Sequence, residues 1–147
     1  MTMPAKGILL GIDPGTVRIG LAICDPDRIL ASPHDTYTRV STKADAEFFR
    51  KVAKAERAVG FVVGLPISLN GTEGPKAKES RTFAEWLTQE TGLPVAFADE
   101  RFTSSYAEDA LIAAGVRREK RVGKRDRIAA QMILQAYLEA IRETILL

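Results

Sequence analysis

Residues 7–25, GILLGIDPGTVRIGLAICD, constrain the fold more than any other stretch of this chain. Residues 8–12 are apolar or glycine at every position, so a strand there needs cover on both faces, as in the middle of a sheet flanked by helices. Asp13, Pro14 and Gly15 stop that strand, and a short turn runs on through Thr16 and Val17. Residues 18–24 resume the strand pattern, which makes the pair a hairpin with Asp13 at the end of its first arm. An Asp ahead of Pro-Gly opens many turns, so turn chemistry explains this one position as well as function does.

The rest of the chain supplies the cover. Pro26 and Asp27 turn into a third strand over 29–39, where Pro33 favours an edge position or a break. Residues 42–58 predict a helix capped by Ser41 or Thr42, with Ala44, Phe48, Val52 and Ala55 as its apolar stripe. AVGFVVGLP at 58–66 reads as a second buried strand, parallel to the first because a helix connects them. SLNGTEGPKAK at 68–78 is a loop, and Pro75 is placed to open a helix that turns Phe83, Trp86 and Leu87 inward and stops at Gly92. A short strand at 94–101, a helix at 103–115 and a last helix over about 126–145 complete the order β-β-β-α-β-α-β-α-α. The expected class is α/β. A five-stranded mixed sheet has its first three strands antiparallel, the others parallel to strand 1 and helices on both faces, in one domain over 1–147.

Charge enters through position rather than amount. The formal net charge is only +2, so an affinity for nucleic acid has to come from where the cations sit. They concentrate at 116–125, VRREKRVGKR, with six basic side chains and one acid, read as a loop beside the last helix. The single cysteine, Cys24, excludes an intrachain disulfide and suits a reducing interior as core filler. No apolar run reaches membrane-spanning length and the N-terminus lacks a signal peptide's apolar segment, so a cytoplasmic protein with no membrane contact is expected.

Three acids stand out against this background. Asp13 ends the first strand, Glu100 ends the last strand, and Asp126 opens the last helix. Asp126 falls in register with Ala129, Ala130, Ile133 and Tyr137, on the inward side. A cap or the helix dipole accounts for an acid near a helix start better than for that inward face. If strands one, four and five run parallel, their carboxyl ends share one edge, where α/β sheets place ligands. Asp99 and Glu100 alternate across the strand, so only one of them joins such a site. Carboxylates without an imidazole or thiolate cluster suit a hard divalent cation, Mg²⁺ or Mn²⁺. Without a cation they would repel one another and titrate upward. A pair of ions about 4 Å apart would activate water and steady the leaving oxygen of a phosphodiester. Arg18, Arg101, Lys124 and Arg125 flank the acids, and with Thr16, Lys120 and Arg121 they form the candidate nucleic-acid contacts.

Four blocks carry a resemblance across nearly the whole chain: GIDPGTVRIGLAICD at 11–25, VVGLPISLNGTEG at 62–74, FADERFTSSYAEDAL at 97–111 and KRDRIAAQMILQAYL at 124–138. In these the chain resembles the YqgF (RuvX) family of the RNase H-like superfamily. The resemblance implies an RNase H-like fold with a metal-dependent nuclease site. The family's acids fall on Asp13, on Glu100 of the DER block and on Asp126 of the D-x-x-AA block. It further implies processing of the 5′ end of pre-16S ribosomal RNA, or, through likeness to the resolvases, cutting of Holliday junctions. The expected partner is thus a ribosomal RNA precursor or branched DNA. A monomer suffices for the first, whereas paired cuts need a homodimer with two sites. Resolvases place a second acid on the last helix, three residues on, where this chain has Ala129. Two other readings compete. A non-catalytic nucleic-acid-binding module would keep the fold, and a phosphotransfer site of the actin-like type would need a second lobe for which 147 residues leave no room.

Overall fold

Five strands and three helices follow from this patterning in a computed structural model, which describes residues 1–68, 70–99, 113 and 118–146, the last stretch with side chains over 123–142. They are β1 (Ile8–Asp13), β2 (Arg18–Cys24), β3 (Ala31–Thr38), α1 (Thr42–Ala55), β4 (Ala58–Leu65), α2 (Pro75–Thr91), β5 (Val95–Asp99) and α3 (Arg118–Leu146). The sheet order is β3-β2-β1-β4-β5. β1–β2 and β2–β3 are antiparallel, while β4 pairs parallel with both β1 and β5, as the sequence predicts. β3 is an edge strand. Its register slips between Leu21 and Ala22, which face Asp35 and Pro33, so His34 is the extra residue of a bulge beside the proline.

Strand alternation sorts the core into two layers. Leu10, Ile12, Ile19, Leu21, Phe61 and Val63 face α1 and α2, where Phe49, Phe83 and Leu87 meet them. Phe49 is the centre of that layer, edge-on to Phe48, Phe61, Phe83 and Trp86 at centroid distances of 5.2–6.2 Å. Leu9, Ala22, Cys24, Val62 and Ala98 face α3, against Ala130, Ile133, Leu134 and Leu138. Cys24 is buried and accepts the Leu9 N–H at 3.2 Å.

Three expectations need correction. α3 begins at Arg118, eight residues before the expected start, so most of the basic run is helix rather than loop. Arg, Glu and Lys are good helix formers and one Gly, at 123, does not break such a run. Asp126 therefore lies in the third turn and does not open the helix. The buried face of α1 is Asp45, Ala46, Phe49 and Ala53, one residue out of phase with the expected stripe, because Phe48 stacks sideways on Tyr37. β5 ends at Asp99. The helix expected at 103–115 lies outside the described residues except for Ala113.

Polar side chains where α3 meets β3 have a specific use. Thr36 Oγ1 donates to the Gly123 carbonyl and Gln131 Nε2 donates to the Ala31 carbonyl. Gln135 Oε1 accepts the Ala31 N–H while its Nε2 donates to the Ile29 carbonyl. These bonds tie the helix across the edge strand and occupy backbone groups that an open edge would expose. Among the described residues no helix is long and apolar enough to cross a membrane.

Two glycines set how closely α3 approaches the sheet. A methyl group on Gly11 would sit 2.7 Å from Leu134 Cβ and 2.9 Å from the Ala130 carbonyl oxygen. One on Gly20 would collide with the carbonyl of Asp126 itself. Gly20→Ala is expected to cost about 2–3 kcal/mol through forced displacement of the helix, read as a lowered midpoint in thermal or urea unfolding. Wild-type stability in that variant would contradict the close contact.

A buried carboxylate organises the other layer. Asp45 accepts from the Tyr37 hydroxyl at 2.7 Å, Arg39 Nε at 3.0 Å and the Val40 N–H at 3.0 Å. Burial pushes its pKa up, but the Val40, Tyr37 and Arg39 donors outweigh this and hold it below the ordinary aspartate value. Burial, and then the bond to Asp45, raise the Tyr37 hydroxyl to about 12. The Asp45 contribution to stability is present above a pH of about 4 and lost as pH falls through the lower folded value. The Tyr37 contribution is complete below pH about 10 and lost as pH rises toward the folded value. Unfolding midpoints scanned across alkaline pH should fall more steeply in wild type than in Tyr37→Phe. Parallel declines in the two proteins would refute this.

Candidate active site

The cross-strand pair Asp13–Gly20 fixes where the first acid points. Directly opposed residues of antiparallel strands share a face, and the missing Cβ of Gly20 looks onto Asp126. Asp13 is therefore on the α3 side of the sheet, at the carboxyl end of β1. Arg18, two residues before Gly20, is on that side as well. Its Nε donates to Asp126 Oδ2 at 2.9 Å, and Arg125 Nη2 lies 3.9 Å from Oδ1 of the same carboxylate. Asp126 is only 9% exposed, so the Arg18 contact holds it in place and compensates part of its burial.

These groups open onto a cleft of about 790 Å³ at the carboxyl edge of the sheet. One wall is the β1–β2 turn with Arg18, Arg125 and Asp126; the other is Arg39, Pro66 and the first half of α2, with Lys76, Glu79, Ser80 and Phe83. The cleft spans both faces of the sheet because its strands simply stop there. Spacing on α2 explains its wall: residues 76, 79, 80 and 83 lie on one helical face.

Of the residues expected from sequence, Asp13, Thr16, Arg18, Arg125 and Asp126 line this cleft together. Lys124 is exposed on α3 and does not line it. Lys120 and Arg121 belong to α3, with side chains outside the described residues; Glu100 and Arg101 lie wholly outside the described residues. Asp99 shares the face of Phe97, on the α1–α2 side, and is exposed. Sequence reasoning missed Arg39, Lys76, Glu79 and Ser80. The signal available for α2 was its proline-opened start directly after the loop that follows β4; for Arg39 there was none beyond its place after an edge strand.

Asp13 and Asp126 supply hard oxygen donors, the chemistry that Mg²⁺ or Mn²⁺ prefers. Among the described residues no group of three or more His, Cys, Asp or Glu side chains is gathered for a metal ion. Two acids therefore fit a divalent cation in kind, and the third expected ligand, Glu100, lies outside the described residues.

Comparison with known proteins identifies the family. The family model described as RuvX, Holliday junction resolvase, matches residues 7–140. A relative from Rhodopirellula baltica, provisionally named a pre-16S rRNA nuclease, is 48% identical over 95% of this chain and 80% of its own length. One from Acidiphilium cryptum with the same name is 40% identical over 97% and 90%. Among solved structures, RuvC of T. thermophilus in complex with a Holliday junction substrate superposes with a TM-score of 0.59 at 16% identity, covering 94% of this chain and 97% of that one. Fowlpox virus resolvase, with its substrate Holliday junction DNA, gives 0.56 at 13% identity over 91% and 98%. These two structures show the RNase H-like fold, while the sequence match spans both edges of the cleft. The chain belongs to the RuvX family of RNase H-like nucleases.

Proposed function

We propose that this protein is a divalent-metal-dependent endonuclease for structured RNA, and that it matures the 5′ end of pre-16S ribosomal RNA. The observation that carries the reading is the convergence of Asp13 and Asp126, from β1 and α3, on one cleft whose rim carries Arg18 and Arg125. The names of the curated relatives support the choice of substrate.

Asp13, Asp126 and Glu100 would hold Mg²⁺ or Mn²⁺, in a pair. Such ions supply an activated water and charge stabilisation for the leaving oxygen. The chain's own residues do the rest. Arg18 keeps the Asp126 carboxylate turned into the cleft, at a fixed distance from the sheet. Arg125 and Thr16 stand on the rim, where a guanidinium and a hydroxyl can take the phosphates flanking the cut. Arg101, Lys120, Arg121 and Lys124 are the further phosphate contacts in this proposal.

Branched DNA is the second reading, favoured by the fold shared with RuvC and the fowlpox resolvase, both solved with Holliday junctions. It requires a two-fold assembly to make paired cuts.

Labelled pre-16S rRNA fragment and four-way DNA junction, each incubated with Mg²⁺, Mn²⁺ or EDTA, separate these outcomes. Cleavage of the RNA should need the cation, and Asp13→Asn or Asp126→Asn should slow it by at least about a hundredfold while binding is retained. Preferred cutting of the junction would shift the substrate to DNA. Tight binding of either nucleic acid with no cutting by wild type would leave a binding module.

A further inference from the structure

Arg39 lies between β3 and α1 and is held from three sides. Its Nε donates to the buried Asp45 carboxylate at 3.0 Å, its Nη1 donates to the Gly15 carbonyl at 3.2 Å, and its guanidinium carbon stands 5.8 Å from the centre of the Phe83 ring on α2. Its backbone N–H also donates to the Val17 carbonyl at 2.9 Å, across the same turn that carries Asp13. The side chain keeps 31% of its surface exposed and lines the cleft. Among the described residues Nη2 makes no hydrogen bond, so this cleft-lining guanidinium keeps donors to offer on a rigid mount.

A purely structural role accounts for less than this. Asp45 is already served by the Tyr37 hydroxyl and the Val40 N–H, and a lysine could offset its charge without orienting a planar group. A guanidinium fixed through Nε and Nη1, with three of its five N–H groups left to donate on a side chain that lines a cleft, is pre-organised for an oxyanion. Lys76, from the first turn of α2, adds a second cation to this wall. Asp13 and Asp126 come from β1 and α3, whereas an anion at Arg39 would sit on the wall formed with α2, where Glu79 is the one carboxylate among the described lining residues.

We propose that Arg39 binds a backbone phosphate of the nucleic acid on the α2 wall, next to but distinct from the phosphate addressed by Asp13 and Asp126. This rests on the nuclease reading for the identity of the ligand. It assigns the substrate path a direction: the strand crosses the cleft from the α3 wall to the α2 wall, over the β1–β2 turn. Arg39 positions the strand and takes no part in bond breaking.

Binding of the labelled pre-16S rRNA fragment and the four-way junction is measured by fluorescence anisotropy at several KCl concentrations. All proteins carry Asp13→Asn, so that cutting does not intervene. Removing Arg39 alone would strand a buried carboxylate, so the test variant is Arg39→Met with Asp45→Asn, and Asp45→Asn alone is its control. The double variant is expected to bind roughly tenfold more weakly, and its slope of log affinity against log salt should fall by about one. Asp45→Asn alone, whose amide oxygen can still accept from Arg39 Nε, should keep the slope and most of the affinity, whatever its unfolding midpoint. Arg39→Lys should recover part of the affinity, as a point charge without the fork. An unchanged slope in the double variant, or an equal loss in the Asp45→Asn control, overturns the assignment. The nuclease reading fails separately, if wild type cuts neither substrate; if no protein binds either nucleic acid, both fail.

Discussion

The direct contact between α3 and the β1–β2 hairpin is the constraint on which the site depends. A helix normally stands off a sheet by the length of its side chains. Here Gly11 and Gly20 remove those side chains at two points, and helix backbone occupies the space. Ala130 and Asp126, the helix residues whose carbonyls take up that space, are four apart, one turn of the same face. The close approach therefore works like a register mark. It fixes the rotation of α3 as well as its distance, and the rotation decides that Asp126 faces the end of β1 rather than solvent. Thr36, Gln131 and Gln135 secure the same orientation from the side, through the edge strand. A helix located only by apolar packing would tolerate sliding by a fraction of a turn. One located by glycine contacts and hydrogen bonds does not.

Two Arg–Asp pairs then hold the cleft open in a fixed shape, and they differ in kind. Arg39 and Asp45 join the N-terminus of α1 to the β1–β2 turn, with the acid buried at 2% exposure and the base partly in the cleft. Arg18 and Asp126 join β2 to α3, and there both members face the cleft. The first is a mount for its arginine; the second is a mount for its acid. Both act on the same short turn, residues 14–17, from opposite sides. This turn belongs to the α3 wall and is bonded to Arg39 of the other; Pro14 stiffens it, and Gly15 lets it close where a Cβ would meet the Arg18 carbonyl.

Much of this was legible in the sequence, for identifiable reasons. Unbroken apolar runs at 8–12 and 58–65 announce strands covered on two faces, and the helix between them makes those strands parallel. Proline at 33 and at 75, and glycine at 92, mark an edge, a helix start and a helix stop that the structure shows in place. Asp126 was legible because an acid in register with Ala130 and Ile133 breaks an apolar face. Its place in the third turn was not, because Asp is also a favoured cap, and the charged residues before it have helix propensity without an apolar period to reveal it. The α2 wall was illegible for a different reason. Lys76, Glu79 and Ser80 read as the solvated face of an amphipathic helix, and only the parallel placement of β4 next to β1 brings that face to the end of β1. Arg39 had no local signal at all, since its partner Asp45 looks like part of a capping motif.

Charge balance explains how such a cleft can serve both acids and phosphates. Among its described lining residues, Arg18, Arg39, Lys76 and Arg125 oppose Asp13, Asp126 and Glu79, an excess of one positive charge. A phosphodiester strand entering this space meets repulsion from the acids at short range and attraction from the bases around them. Arg18 already offsets the charge of Asp126, and a divalent cation shared by Asp13 and Asp126 would reverse the sign of the floor while leaving the rim cations in place. The field would then favour the strand along its whole path, from Arg125 across the turn to Arg39. In a protein whose net charge is only +2, the proposed affinity for nucleic acid would thus be a property of the loaded cleft rather than of the surface at large.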